Sequence, residues 1–235
     1  MDATPSPAAP PERRWGPLDP IQRRVLGVLI EKAKTTPAGY PMSVNAIVAG
    51  SNQKNNREPI TAYDDFDVEK ALSEMQTLGL VKEIDWVGRV PKYKHLAYEW
   101  LGVKPVELAV LGELLLRGTQ SLGDLRGRAA RMEPIADLSA LKPVVDGLVE
   151  RGLMIELTPP GRGQLVTHGL HSAQELGELR AREGRPGRTE PALSPAEHAA
   201  PSRPDLAAEL GELRSELAEL RERVERLERA GEAQR

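Results

Sequence analysis

The stretch Leu78-Gly79-Leu80-Val81-Lys82-Glu83-Ile84 is answered later in the chain by Arg151-Gly152-Leu153-Met154-Ile155-Glu156-Leu157. Each reads as the end of a helix, a glycine cap and an apolar strand. Ahead of the first junction, Asp64 to Leu78 has the spacing of a helix buried through Val68, Ala71, Leu72, Met75 and Leu78. Met42 to Ala49 reads as a shorter helix capped by Ser43, with a polar loop from Ser51 to Pro59 after it. Leu18-Asp19-Pro20 opens the earliest helix, with Asp19 as cap and Pro20 in the first turn. Its apolar stripe is Ile21, Val25, Leu26, Val28, Leu29 and Ala33, and Thr35-Thr36-Pro37-Ala38-Gly39 breaks it. After the junction the strand runs through Val87, Gly88-Arg89-Val90-Pro91 turns, and Lys92-Tyr93-Lys94-His95-Leu96 returns.

The second half repeats this plan. Val106 to Leu116, Ser121 to Met132 and Leu138 to Glu150 are three helical stretches, the middle one capped by Ser121. The strand after Gly152, a turn at Pro159-Pro160-Gly161-Arg162-Gly163 and the return Gln164-Leu165-Val166-Thr167-His168 complete it. Three helices and a two-stranded ribbon, occurring twice, outline tandem winged helices. The alternative is a pair of generic three-helix α+β units. The expected fold class is therefore mainly α (α+β), with two tandem winged-helix domains followed by a C-terminal coiled-coil helix.

The coiled coil is read from Leu206, Leu210, Leu213, Leu217, Leu220, Val224 and Leu227, which are spaced 4-3-4-3-4-3. A 3.5-residue repeat keeps one apolar seam against a partner helix. With leucine at every d position, the flanking g-to-e pairs are Glu209 with Arg214, Glu216 with Arg221, and Arg223 with Glu228. All three are oppositely charged, which suits a parallel homodimer; the alternative is an amphipathic helix folding back on its own chain. The expected organisation is a disordered tail at 1–17 and winged-helix domains at 18–101 and 102–170. A short helix and flexible linker at 171–204 and the coiled coil at 205–230 follow, with Gly, Pro, Arg and Ala enriched over 184–204.

Composition bounds the chemistry. The chain has one Phe, four Tyr and three Trp, so its cores must be built from Leu, Val, Ile and Ala. No cysteine is present, which excludes disulfides, thiolate metal sites and cysteine nucleophiles. No apolar run approaches the ~20 residues that span a bilayer, and the Pro- and Ala-rich start has no signal-peptide core. A soluble, cytoplasmic protein is expected, without membrane partners. The two halves are charge-balanced, with 11 basic and 11 acidic side chains at 18–101 and 8 of each at 102–170. Neither is a basic body, which weighs against strong phosphate neutralisation.

Tyr40-Pro41-Met42-Ser43-Val44-Asn45-Ala46-Ile47-Val48-Ala49 and Ser51-Asn52-Gln53-Lys54-Asn55-Asn56-Arg57-Glu58-Pro59 resemble the YceH-like family of uncharacterised bacterial proteins. The resemblance continues in Arg89-Val90-Pro91-Lys92-Tyr93-Lys94-His95 and Glu113-Leu114-Leu115-Leu116-Arg117-Gly118, covering roughly residues 18–170. It implies two winged-helix domains, often with a coiled-coil tail, and carries over no catalytic residues. The family's usual label of transcriptional regulator rests on fold analogy, which does not fix function.

Candidate nucleic-acid contacts fall in three groups. Asn52, Gln53, Lys54, Asn55 and Arg57 form a loop of amides and cations that can grip phosphates; alternatively Asn closes turns and Arg57 and Glu58 bridge helices. Arg89, Lys92 and Lys94, with His95, lie on the first wing, and Arg162 tips the second. Arg126, Arg128 and Arg131 lie along the second helix of the second unit, where Arg128 and Arg131, three apart, share a face. The third helices, where such folds insert into the major groove, are acidic at Asp64, Asp65, Asp67, Glu69 and Glu74, and offer little for base edges at Asp137, Lys142, Asp146 and Glu150. His168 and His171 can meet on a helix but have no third ligand nearby. Phosphate-cradling loops, nucleophile elbows and dinucleotide fingerprints are absent. No catalytic, cofactor or metal site is expected. The leading expectation is a homodimeric DNA-associated regulator; the alternative is a winged-helix adaptor that binds protein rather than DNA.

Overall fold

The computed structural model describes residues 15–84 and 90–183. The expected coiled-coil seam, most of the linker before it, residues 1–14 of the expected N-terminal tail and Arg89 lie outside those residues, while Trp15 of that tail packs against the core. The order is α1 (Pro20–Thr35), α2 (Val44–Ser51), α3 (Asp65–Thr77), β1 (Val81–Ile84), β2 (Lys92–His95) and α4 (Ala97–Leu101). Then come α5 (Pro105–Arg117), β3 (Gln120–Ser121), α6 (Leu122–Ala129), α7 (Leu138–Glu150), β4 (Met154–Glu156), β5 (Leu165–His168) and α8 (Ala173–Glu183). The described residues are mostly helical, with two small antiparallel sheets.

The sequence signals for helix starts act as expected. Asp19 accepts from the Gln22 amide and Gln22 reciprocates, a capping box ahead of Pro20. Ser43 and Ser121 cap α2 and α6 through their side chains, and Asp64 and Asp137, not singled out as caps in the sequence, do the same for α3 and α7. Gly79 and Gly152 both take φ of +70°, the left-handed conformation a helix needs to turn straight into a strand. After each, the amide of the residue just past the return strand closes the ribbon: Leu96 donates to Leu80 and Gly169 donates to Leu153, both at 2.7 Å.

β1 pairs with β2, and an isolated bridge between Met42 and Tyr93 ties the ribbon to the segment before α2. The second sheet has the order β3-β5-β4. Its strand β3 was not anticipated, because two residues are too few to show a period. Nor was α4, which ends at Gly102 and donates from the Trp100 indole to the Leu78 carbonyl at 3.1 Å.

The main departure is α1. One apolar stripe was expected, yet every residue from Gln22 to Glu31 is buried, including Arg23, Arg24 and Glu31. The reason is its position. α1 packs on α2, on α3 and, most extensively, on α5 of the second repeat. Gly27 and Gly112 permit that approach: a Cβ on Gly27 would meet the Leu116 side chain at 3.0 Å, and one on Gly112 would lie 2.8 Å from Ile30. One hydrophobic core runs from Leu18 to Leu170 through both repeats, and the polar groups α1 carries into it need partners.

Candidate functional site

The polar loop between α2 and α3 supplies those partners. Asn52 donates to the Tyr63 carbonyl at 2.7 Å and accepts from the Tyr63 amide at 2.9 Å and the Thr61 hydroxyl at 3.1 Å. The buried Arg57 guanidinium donates to Glu31 at 2.5 Å, to Gln53 at 2.9 Å, and to the carbonyls of Gly50 and Asn56 at 2.8 and 2.7 Å. Asn56, at φ 60°, accepts from Arg117 at 2.6 Å, and the Glu58 amide donates to the Leu116 carbonyl at 3.0 Å. Thus the loop closes over the α1–α5 seam. Asn52, Gln53 and Arg57 are engaged in these internal bonds, whereas Lys54 and Asn55 are exposed.

Across the seam the ion network continues. Arg131 bridges Glu31 and Glu113, donating to the latter at 2.9 Å. Arg117 Nε lies 3.0 Å from Glu113 Oε1, a charge contact without hydrogen-bond alignment. Burial by itself would raise the Glu31 carboxyl, but the hydrogen bonds and charges of Arg57 and Arg131 outweigh it and hold the group below its usual range. Burial would likewise lower Arg131, and Glu113 and Glu31 reverse the sign. Glu31 and Arg131 therefore keep their charges where an unpaired charge would cost several kcal/mol.

Arg128 and Arg131 do not share a helix face, because α6 ends at Ala129. Arg128 turns to Gln120 at 2.7 Å, while Arg131 turns into the seam. On the first ribbon, Lys92 and Lys94 are both half-buried, with Lys94 opposite Lys82. His95 adds no charge to them near neutrality: burial, then the neighbouring Lys34, push it down to about 4. Arg162 is exposed at the tip of the second ribbon. His168 and His171 do meet, but off any helix, with rings stacked at 4.0 Å beside the Arg23–Glu175 ion pair.

The third helices expose what the sequence reading passed over. Phe66, the one phenylalanine of the chain, is 72% exposed in the first turn of α3, and Ile60 just before it is 62% exposed. Asp64, Asp65 and Glu69 are exposed around it. On α7, Leu138 is 53% exposed beside a groove of about 500 Å³, and Lys142 is paired with Asp146 at 3.0 Å. Glu31 and Glu113 were missed too, although a carboxylate inside an apolar run, as in Leu29-Ile30-Glu31 and Gly112-Glu113-Leu114, is itself a signal of buried pairing.

A family profile described as "Protein of unknown function, DUF480" matches residues 18–164. The chain belongs to that family. Among its DUF480 relatives, a UPF0502 protein of Rhodopirellula baltica is 52% identical over 159 residues, covering 68% of this chain and 67% of the relative. A UPF0502 protein of Geobacter sulfurreducens is 41% identical over 184 residues, 78% of each chain. The matched region holds the whole Glu31–Arg57–Arg131–Glu113 network, and it agrees with the YceH-like resemblance read from the loop.

Proposed function

We propose that this chain is a non-enzymatic protein-interaction module, built on two winged-helix units and paired through the heptad seam at 206–227. The observation that carries the reading is α3. In a winged helix this element faces the partner, and here it presents Phe66 and Ile60 within a rim of carboxylates. An exposed aromatic anchor with a polar rim has the anatomy of a protein interface, whereas carboxylates in that place repel phosphates. The partner this surface fits has an apolar pocket and a basic rim. Of the eleven positions that were candidates for nucleic acid, Asn52, Gln53, Arg57 and Arg131 are spent in internal bonds, which further favours protein over DNA. The Lys54 and Arg162 side chains, open to solvent, are what supports the DNA reading.

A photo-crosslinking amino acid at position 66, followed by reconstitution with the purified captured protein, tests the proposal. Phe66→Ser is expected to weaken that complex by at least about tenfold, the effect of losing a central anchor, with the melting curve unchanged. Anisotropy against duplex DNA at several salt concentrations supplies the opposing outcome. Tight binding that falls steeply with salt, unaffected by Phe66→Ser, would overturn the interaction reading.

A further inference from the structure

The groove beside α7 differs in character from the α3 surface. Its floor is apolar, formed by Leu141 and Val145 of α7 and Leu122 of α6, with the exposed Leu138 at its mouth. The β4–β5 turn completes the lining with Pro160 and with Arg162 between Gly161 and Gly163. Its volume of about 500 Å³ is that of a small-molecule site, and such sites combine an apolar lining with a few polar groups that fix orientation.

The polar groups are nearly all engaged. Lys142 is held by both Asp146 oxygens at 3.0 Å, Ser121 donates to Asp124 at 2.8 Å, and the Glu156 carboxylate accepts from Gln164 at 2.6 Å. Arg162 makes no hydrogen bond or ion pair among the described residues. A single uncommitted guanidinium over a hydrocarbon floor complements a ligand with one anionic head and an aliphatic body. A planar carboxylate matches the guanidinium fork.

We propose that this groove binds a small aliphatic carboxylate, its chain on Leu122, Leu141 and Val145 and its head on Arg162. The site is independent of the α3 surface, so either can fail without the other.

The test uses the full chain, with decanoate and decan-1-ol as probes, titrated by calorimetry and by amide chemical-shift mapping. Decanoate is expected to shift residues 121–123, 138–146 and 160–164. It should bind about tenfold or more tightly than the alcohol, as one charge-assisted hydrogen-bond pair implies. Arg162→Gln should abolish that preference. Leu138→Glu should weaken decanoate by setting a like charge at the mouth. Both positions are exposed, so the fold survives these changes, and the melting curve checks it. Equal affinity for acid and alcohol, shifts centred on Phe66, or no binding would each overturn the proposal.

Discussion

Arg57 illustrates how one side chain can read as a surface ligand in sequence and act as a rivet in the fold. It sits in a run of amides and cations that looks like a phosphate grip. Its side chain instead reaches Glu31 at 2.5 Å, in the seam between α1 and α5. Replacing Arg57 by Met would leave the Glu31 carboxylate buried with Arg131 and, at 3.9 Å, Lys32 beside it. The expected loss is about 3–5 kcal/mol of stability, the cost of orphaning one member of a buried pair. Equilibrium urea unfolding checks this. Adding Glu31→Leu to Arg57→Met should cost less than the sum of the two single changes, because the pair is removed together. The sequence did carry a hint, since Glu31 directly follows the apolar pair Leu29 and Ile30.

At the scale of elements, the helix-to-strand junctions were the most legible feature. Gly79 and Gly152 are separated from strands β1 and β4 by one apolar residue each, and both hold φ of +70°. A Cβ on Gly79 meets no atom, so the penalty for Gly79→Ala is purely conformational, about 1–2 kcal/mol. Gly127 lies within α6 with equally open surroundings, and Gly127→Ala should have the opposite sign, stabilising by roughly 0.5–1 kcal/mol. Thermal melts of the two variants make the comparison. Less legible were β3 and α4, which are short and owe their form to the sheet and to the Trp100–Leu78 contact rather than to local pattern. The end of α6 was misread for a related reason: Arg131 looked like a further helical residue, but the seam draws it out of the helix.

At the scale of the whole molecule, burial of histidine links stability to pH. His95 and His171 are pushed down to about 4, by burial first and then by Lys34 and Arg23 respectively, and fully buried His168 lies well below its ordinary value. The unfolded chain takes up these protons from about pH 6.5 downward, while the folded chain resists them. Stability should therefore be complete above about pH 6.5 and fall toward pH 4. Glu175, held at about 2 by Arg23, extends the loss below about pH 4.5, its unfolded range. Calorimetric melts across pH 8 to 4 should show a falling Tm; a flat profile would contradict the buried, neutral histidines.

By itself the sequence determined the order of the longer helices and of the two ribbons, most of the caps that begin those helices and the glycines at the two helix-to-strand junctions, because these depend on contacts within a few residues. It also placed the chain's resemblance in the loop at 51–59. Only the tertiary structure decided which face of each element meets solvent. Packing α1 against α5 turned a one-stripe helix into a buried one, drew Arg57 and Arg131 onto Glu31, and left Phe66 outside. Those outcomes depend on groups as far apart as Glu31 and Arg131, 100 residues along the chain, and no local pattern encodes which distant charge a buried carboxylate will find.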